Sequence, residues 1–275
     1  MISIITCVFN GITTIQDTIE SVRKQSEVEY EHIIVDGKST DGTIELVKEY
    51  TKKDSNIKLF SDSDNGIYDA YNKGIKYSKG SHIIFLNADD FFSNDALMII
   101  SKNINKKSDI LAFDLSMLNE DYSFIKNHKR SSIKKHNINN PVILTPALVF
   151  KKILFKNLGL FDVSYRICGD YDFIARSILA KKTISYHDGL VTYMREGGIS
   201  SDYKFEILKK KEHIRIHLKY SAKFSIKHVL SLIINAIKSI LLRTVFKSRF
   251  IKKKKSVSDH YNDSDIFWFN KNTDV

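Results

Sequence analysis

A chain of 275 residues can bury one substantial core, or a catalytic domain with an appendage, and is short for two full-sized independent domains. Its 43% hydrophobic and 27% charged residues with only two prolines exclude a largely disordered protein, and two cysteines, Cys7 and Cys168, exclude a disulfide framework. The formal net charge of +11 gathers between Ile207 and Lys255, where acids are few, and asks for an anionic partner surface.

Met1 leads at once into an apolar run with no basic region ahead of it, so the expectation is a cytoplasmic protein. Short runs rich in β-branched residues then alternate with helical patterns. Ile2 to Phe9 is followed by Thr14 to Gln25, His32 to Val35 by Thr43 to Tyr50, Ile57 to Phe60 by Ile67 to Tyr77, and His82 to Leu86 by Asp95 to Ile104. This alternation predicts an α/β fold, with a mostly parallel central sheet flanked by helices, and such sheets bind ligands at the carboxyl ends of their strands. The polar residues after each run are therefore the candidates: Asn10-Gly11, Asp36-Gly37, Asp62 to Gly66, and Asn87-Ala88-Asp89-Asp90.

From Ile110 to Phe150 the periodicity weakens, and the basic stretch Lys126 to Asn140 reads as an inserted loop or lid. Order returns with Gly159-Leu160-Phe161-Asp162, then Gly169-Asp170-Tyr171-Asp172 ahead of a helical run Phe173 to Ala180 and a strand-like Thr183 to Tyr186. Tyr203 to Tyr220 is a charged helix. In Phe224 to Phe250, polar residues recur at helical spacing opposite a broad apolar face, with Lys238 and Arg243 too central for a spanning helix and Lys252 to Lys255 following. An interfacial helix on an anionic membrane surface is expected there, with an intramolecular or dimer-forming helix, and hence a homo-oligomer, as the alternative. Sparse aromatic residues in this basic region favour lipid over nucleic acid, so no nucleic-acid partner is expected. The expected divisions are a catalytic domain over 1–202, a helical membrane-associating region over 203–255 and a polar tail over 256–275.

Carboxylates at strand ends suit a reaction that must neutralise a departing diphosphate and deprotonate an incoming hydroxyl. Mg²⁺ or Mn²⁺ needs only one or two carboxylates besides phosphate oxygens and water, which Asp89-Asp90 can supply; a helix-capping turn is the plainer explanation of the same pair. No G-x-G-x-x-G follows the first strand and no Walker-type G-x-x-x-x-G-K-[ST] is present, which excludes the common dehydrogenase and ATPase signatures. A non-catalytic module binding anionic lipid or polyanion stays open as an alternative.

Four segments together narrow the choice. Ser3 to Asn10, Ile33 to Thr43 with its Asp36-Gly37-Lys38-Ser39-Thr40-Asp41-Gly42 turn, Asp64 to Ile75, and Phe85 to Asp90 resemble, in order and spacing, glycosyltransferase family 2, whose catalytic domain has the GT-A fold. The third segment is similar to a bacterial polysaccharide-assembly subgroup. The resemblance implies an inverting, metal-dependent transfer from a nucleotide-diphosphate sugar, UDP-sugar foremost, to a glycan or lipid-linked acceptor at the inner face of the membrane. It places Thr6 and Phe9 beside the base, Asp36 as hydrogen-bond acceptor for the base, Asp69 and Asn72 toward the donor's phosphates or sugar, Asp89 at the ribose and Asp90 on the metal. Asn87 stands where many relatives carry the first Asp of an Asp-x-Asp motif. Gly159 to Asp162 and Cys168 to Phe173 resemble the segment that carries the catalytic base, which makes Asp170 the base and leaves Asp172 as an N-cap; Asp36 and Asp41 also admit a capping role. Arg195 to Ser200 is similar to the loop that closes over the donor, with Arg195 pairing with diphosphate, although two glycines also make an ordinary surface turn. His187 reads as a strand-end histidine, and Thr145-Pro146-Ala147 occupies the place of a His-Gln pair common in relatives.

Overall fold

The computed structural model describes residues 1–25, 27–104, 107–119, 123–128, 145–196 and 205–220. The first half is the expected alternation: β1 (Ile2–Val8), α1 (Ile15–Arg23), β2 (Tyr30–Asp36), α2 (Thr43–Lys53), β3 (Ile57–Ser61), α3 (Ile67–Tyr77) and β4 (His82–Phe85). After a two-residue β5 (Phe91–Phe92) come α4 (Ala96–Asn103), β6 (Ile110–Leu118), β7 (Phe124–His128), a 3-10 turn at Thr145–Ala147, β8 (Leu148–Lys151), α5 (Ile153–Leu158), α6 (Gly169–Leu179) and β9 (Ile184–Arg195). These lie in a compact unit Met1–Gly198; α7 (Glu206–Tyr220) belongs to a second unit, Ile199–Val275.

The strand order is β3-β2-β1-β4-β8-β6-β9-β5, with β7 on β6. β1 to β4 are parallel, as the alternation requires. The second half is mixed: β8 runs antiparallel to both β4 and β6, β6 and β9 are parallel, and β5 is antiparallel to β9. β6 escaped a periodic reading because it is buried on both faces and so lacks polar alternation. β9 runs well beyond Tyr186, to Arg195, where it meets β5 beside the acidic turn. Most of the loop expected between Lys126 and Asn140 lies outside the described residues, but Lys126 to His128 are strand.

α3 lies on β1 and β2 because Gly74 has no side chain: a Cβ there would come within 2.4 Å of Ile5. A ring cluster then joins the two halves of the unit. Phe85 of β4 packs edge-on to Phe150, Phe155 and Phe161 at 5.4–6.1 Å between centroids, and Phe155 stacks on Phe173 of α6 at 4.6 Å. Asn72 of α3 fastens the same junction. Its amide donates to the Phe161 carbonyl at 2.9 Å and accepts from the Phe161 N–H at 3.0 Å, satisfying a loop backbone that would otherwise be buried without partners. Asn72 and Asp69 therefore do not share a donor-facing surface as expected, since Asn72 is turned inward.

Among the described residues no helix is long and apolar enough to cross a membrane. The expected amphipathic helix from Phe224 to Phe250 and the tail from 256 lie outside the described residues.

Candidate active site

The carboxyl ends of β1 and β2 form one corner of the site. The loops after them are stitched together: Asn10 accepts from the Thr40 N–H at 2.9 Å, the Asn10 N–H donates to Ser39, and the Ile12 N–H donates to Asp41. Asp41 also accepts from the N–H and hydroxyl of Thr43, so it caps α2 as its position suggests. Asp36 is fully buried. Its Oδ2 accepts from the N–H groups of Lys38 and Ser39 and from the Ser61 hydroxyl, all within 3.0 Å, while its Oδ1 has no partner. One oxygen thus organises the turn, and the other is buried with its hydrogen-bonding capacity unused. Phe9, 65% exposed, stands beside this turn, and the space between is kept by Gly37, whose Cβ would meet Asp64 Oδ2 at 2.7 Å and the Phe9 ring at 3.5 Å.

Thr6 does not join them. It is wholly buried within the sheet, where its hydroxyl is bonded to His32 Nε2 at 2.9 Å, and burial pushes the imidazole down to about 3. Thr6, expected beside a base, thus has its side chain enclosed and its hydroxyl engaged within the sheet.

The acidic turn after β4 is held from three sides. The Tyr71 hydroxyl donates to Asn87 Oδ1 at 2.6 Å, the Asn87 amide donates to Asp90 Oδ2 at 3.0 Å, and the Arg195 N–H donates to Asp90 Oδ1 at 3.1 Å. Asp90 is 1% exposed, and both carboxylate oxygens are engaged; Asp89 beside it is more open. The expected division, Asp90 on the metal and Asp89 on the ribose, thus falls on one enclosed and one more open carboxylate. Burial raises the pKa of both, and for Asp90 the neighbouring Asp89 charge adds to the effect. A buried carboxylate pair of this kind favours a hard cation, and it needs few protein ligands when phosphate oxygens complete the shell. Among the described residues no group of three or more His, Cys, Asp or Glu forms a closed metal cage.

Arg195 ends β9 and points back into this corner. Its guanidinium is ion-paired with Asp17 of α1 at 2.6 Å and lies over the Phe91 ring at 5.5 Å. Arg195, expected to pair with a diphosphate, braces α1, β9 and the acidic turn in this structure. The rest of the expected closing loop, from Gly197, lies outside the described residues.

Asp170 occupies the first turn of α6. Its Oδ2 accepts from the Thr145 hydroxyl at 2.6 Å, and its Oδ1 accepts from the Tyr171 N–H at 2.8 Å and lies 3.1 Å from the Tyr68 hydroxyl, which also donates to the Ile167 carbonyl at 2.6 Å. Gly169 permits this: a Cβ would meet the Tyr68 ring at 2.8 Å. Asp172 is not an N-cap. It lies inside α6, completely buried and ion-paired with Arg176 at 2.8 Å one turn on, and Arg176 also donates to the carbonyls of Leu158 and Leu160. Asp69 accepts from the Asn65 N–H at 3.1 Å and so caps its own helix start. His187 lies within β9 rather than at a strand end, stacks on Phe113 and bonds Ser185.

Tyr71 relates the two carboxylate sites. Burial drives the pKa of its phenol well up, and the charges of Cys7, Asp170, Asp90 and Asp89 add to the effect. Tyr68, Thr145 and Asp17 are site residues that sequence reasoning missed; the Tyr68-Tyr71 spacing on a helix directly after an acidic strand end was the available signal.

This arrangement, a parallel βαβ half with an acidic turn at its switch to antiparallel strands, is that of a GT-A glycosyltransferase. The family described as Glycosyl transferase family 2 matches residues 3–159, more than half of the chain, and the chain belongs to it. The PGL/p-HBAD biosynthesis glycosyltransferase of Mycobacterium bovis is 27% identical over 209 residues, covering 73% of this chain and 79% of that protein. The poly(ribitol-phosphate) beta-glucosyltransferase of Bacillus spizizenii is 27% identical over 86% of this chain, but only 37% of its own length is covered. Among solved structures, S. aureus TarS 1–349 in complex with UDP-GlcNAc superposes with a TM-score of 0.64 at 20% identity, covering 89% of this chain and 73% of that one. The mannosyltransferase PcManGT of Pyrobaculum calidifontis, in complex with GDP-Man and Mn2+, does so with 0.64 at 14% identity, covering 90% and 76%. The non-catalytic alternative is set aside by this membership.

Proposed function

We propose that this glycosyltransferase moves a sugar from a nucleotide-diphosphate donor, a UDP-sugar, to a hydroxyl of a glycan or lipid-linked glycan in bacterial surface polysaccharide assembly, with inversion at the anomeric carbon. The observation that carries the reading is that one helix, α3, serves both carboxylate sites: the Tyr71 hydroxyl donates to Asn87, whose amide donates to Asp90, and the Tyr68 hydroxyl lies 3.1 Å from Asp170. Phe9 offers a ring face to the base and Asp36 Oδ1 an acceptor for a base N–H. Asp89, backed by Asp90, holds Mg²⁺ or Mn²⁺. When bound, the cation neutralises charge on the departing diphosphate.

Asp170 takes the acceptor hydroxyl's proton as the oxygen attacks the anomeric carbon opposite the leaving group, and a single displacement of this kind inverts configuration. Thr145 and Tyr68 fix the carboxylate's orientation. Relatives named as a PGL/p-HBAD biosynthesis glycosyltransferase and a poly(ribitol-phosphate) beta-glucosyltransferase, and a neighbour bound to UDP-GlcNAc, support the substrate classes. The basic stretch from Ile207 to Lys255 supports a peripheral position on the cytoplasmic face of an anionic membrane. The test is turnover of a nucleotide-sugar panel with and without EDTA, for the parent chain, Asp89→Ala and Asp170→Asn. Donor use unaffected by chelation and by both substitutions would remove the proposed roles.

A further inference from the structure

β4 carries the acidic turn at its carboxyl end. At its other end, about 16 Å away at the usual strand rise, Gly80, Ser81 and His82 border a groove of about 700 Å³, within the range of small-molecule sites. Three elements meet there: the end of α3, the antiparallel β4–β8 pair in which His82 opposes Lys151, and the start of α5. Each brings lysine. Lys76, Lys79, Lys151, Lys152 and Lys156 all line the groove, and no Asp or Glu does.

Lys76, Lys79 and Lys156 are exposed and form no ion pair among the described residues; Lys152 is held by the Ser78 carbonyl. Glu31 lies beneath, accepting from the Lys79 N–H, but it is buried and ion-paired with Lys58 at 2.6 Å. His82, 8% exposed, also lines the groove. Its Nδ1 is 3.1 Å from the Ser81 hydroxyl and its Nε2 has no hydrogen-bond partner. A lysine at the end of α3 is explained by the helix dipole alone. Like charges from three separate elements around one groove are not, because they repel until an anion is present.

The floor and mouth carry the second half of the argument. Ile75 and Phe155 close the floor of the groove from within the core, while Leu160 is half-buried and Ile153 at its edge is 50% exposed, so these two present apolar surface at the mouth. A small soluble anion would satisfy the lysines and leave this apolar surface in water, whereas a neutral lipid would do the reverse.

We propose that this groove binds an anionic phospholipid at a bilayer surface, the phosphoryl oxygens facing Lys76, Lys79 and Lys156 and the first methylenes lying on Ile153 and Leu160. The site lies apart from the transfer chemistry and does not depend on its donor or acceptor. It is also distinct from the basic segment after residue 220, which would attract the same vesicles, so the measurement must report on these lysines individually.

The test uses the full chain. Lysine acylation by a water-soluble reagent, read by peptide mass spectrometry, is compared in phosphatidylglycerol vesicles, phosphatidylcholine vesicles and inorganic phosphate of equal concentration. Anionic vesicles are expected to slow acylation of Lys76, Lys79 and Lys156 by about fivefold or more, with no such protection from the other two. The Ile153→Asp variant should lose that protection while keeping its circular dichroism spectrum. Labelling of the three lysines at the free rate while the protein floats with the vesicles would overturn the site. Equal protection by inorganic phosphate, or retained protection in Ile153→Asp, would overturn the lipid as its ligand.

Discussion

The Tyr68 hydroxyl lies 3.1 Å from Asp170 Oδ1, joining the helix that supports the acidic turn to the residue placed as catalytic base. Removing the hydroxyl leaves the base chemically intact and loosens its aim. Tyr68→Phe should therefore lower kcat by about tenfold, worth about 1.4 kcal/mol of barrier, with donor KM little changed. Asp170→Asn should lower kcat by about a thousandfold or more. Steady-state kinetics on the same donor separates the two effects, and equal losses would mean that Tyr68 does more than orient.

Gly169 sits where any side chain would press on the Tyr68 ring. Gly169→Ala should cost about 1–3 kcal/mol of stability through overpacking, and activity should fall along with it. Urea unfolding beside kinetics checks both; a fully active, fully stable alanine variant would show that the ring yields freely.

Asn72 holds the backbone of Phe161 by two hydrogen bonds. Asn72→Ala leaves both loop groups buried without partners, and a loss of about 2–4 kcal/mol is expected. The lowered Tm should come without a specific change in donor KM at temperatures where the variant is folded, which distinguishes a structural clamp from a donor contact.

Phe9 is the exposed ring beside Asp36. If it stacks on the donor's base, Phe9→Ala should raise donor KM by about tenfold, in line with a base–aromatic contact of about 1–3 kcal/mol, and leave Tm nearly unchanged. Isothermal titration with the free nucleoside diphosphate reads the same loss directly.

Acid should destabilise the sheet through two adjacent residues of β2. His32 is held neutral by burial down to about 3, so unfolded chains bind its proton first as pH falls below its ordinary 6.5. Stability then declines between those values by up to about 1.4 kcal/mol per pH unit. Burial alone would raise Glu31, but Lys58, the Lys79 N–H and Ser3 outweigh it and bring it to about 2; its contribution is present above 4.5 and is lost as pH falls toward 2. His32→Gln should flatten the upper part of the profile, and Glu31→Gln should converge with the parent only at the acid end. Unfolding free energies measured from pH 7 to pH 2 test both windows.

The alternation of β1 through α4 was readable because each strand is short, β-branched and followed by an amphipathic helix. β6 and the far end of β9 were not, since one is buried on both faces and the other bulges across its register with β6. Asp36, Asp89 and Asp90 stood out as candidates because acids after strands are conspicuous, and Asp170 through the family resemblance of its segment. Their supports were harder to see. Tyr68, Thr145 and Asp17 act across separations of up to 178 residues, as Asp17 does with Arg195, and no local pattern announces such a pairing. The partners of Thr6, Asn72 and Arg195 within the fold were hidden for a related reason: position along an element does not say which way a side chain turns.

Asn87 shows what an amide can do where a carboxylate would seem the natural choice. It receives a hydrogen bond from Tyr71 with one end and gives one to Asp90 with the other, a two-way role closed to an ionised aspartate, which only accepts. An Asp at this position would set a third negative charge against Asp89 and Asp90 and strip the latter of its donor. The corner is thus wired in a single direction, from phenol to amide to carboxylate, and its departure from the more common acidic pattern keeps the anionic charge within what one divalent ion can balance.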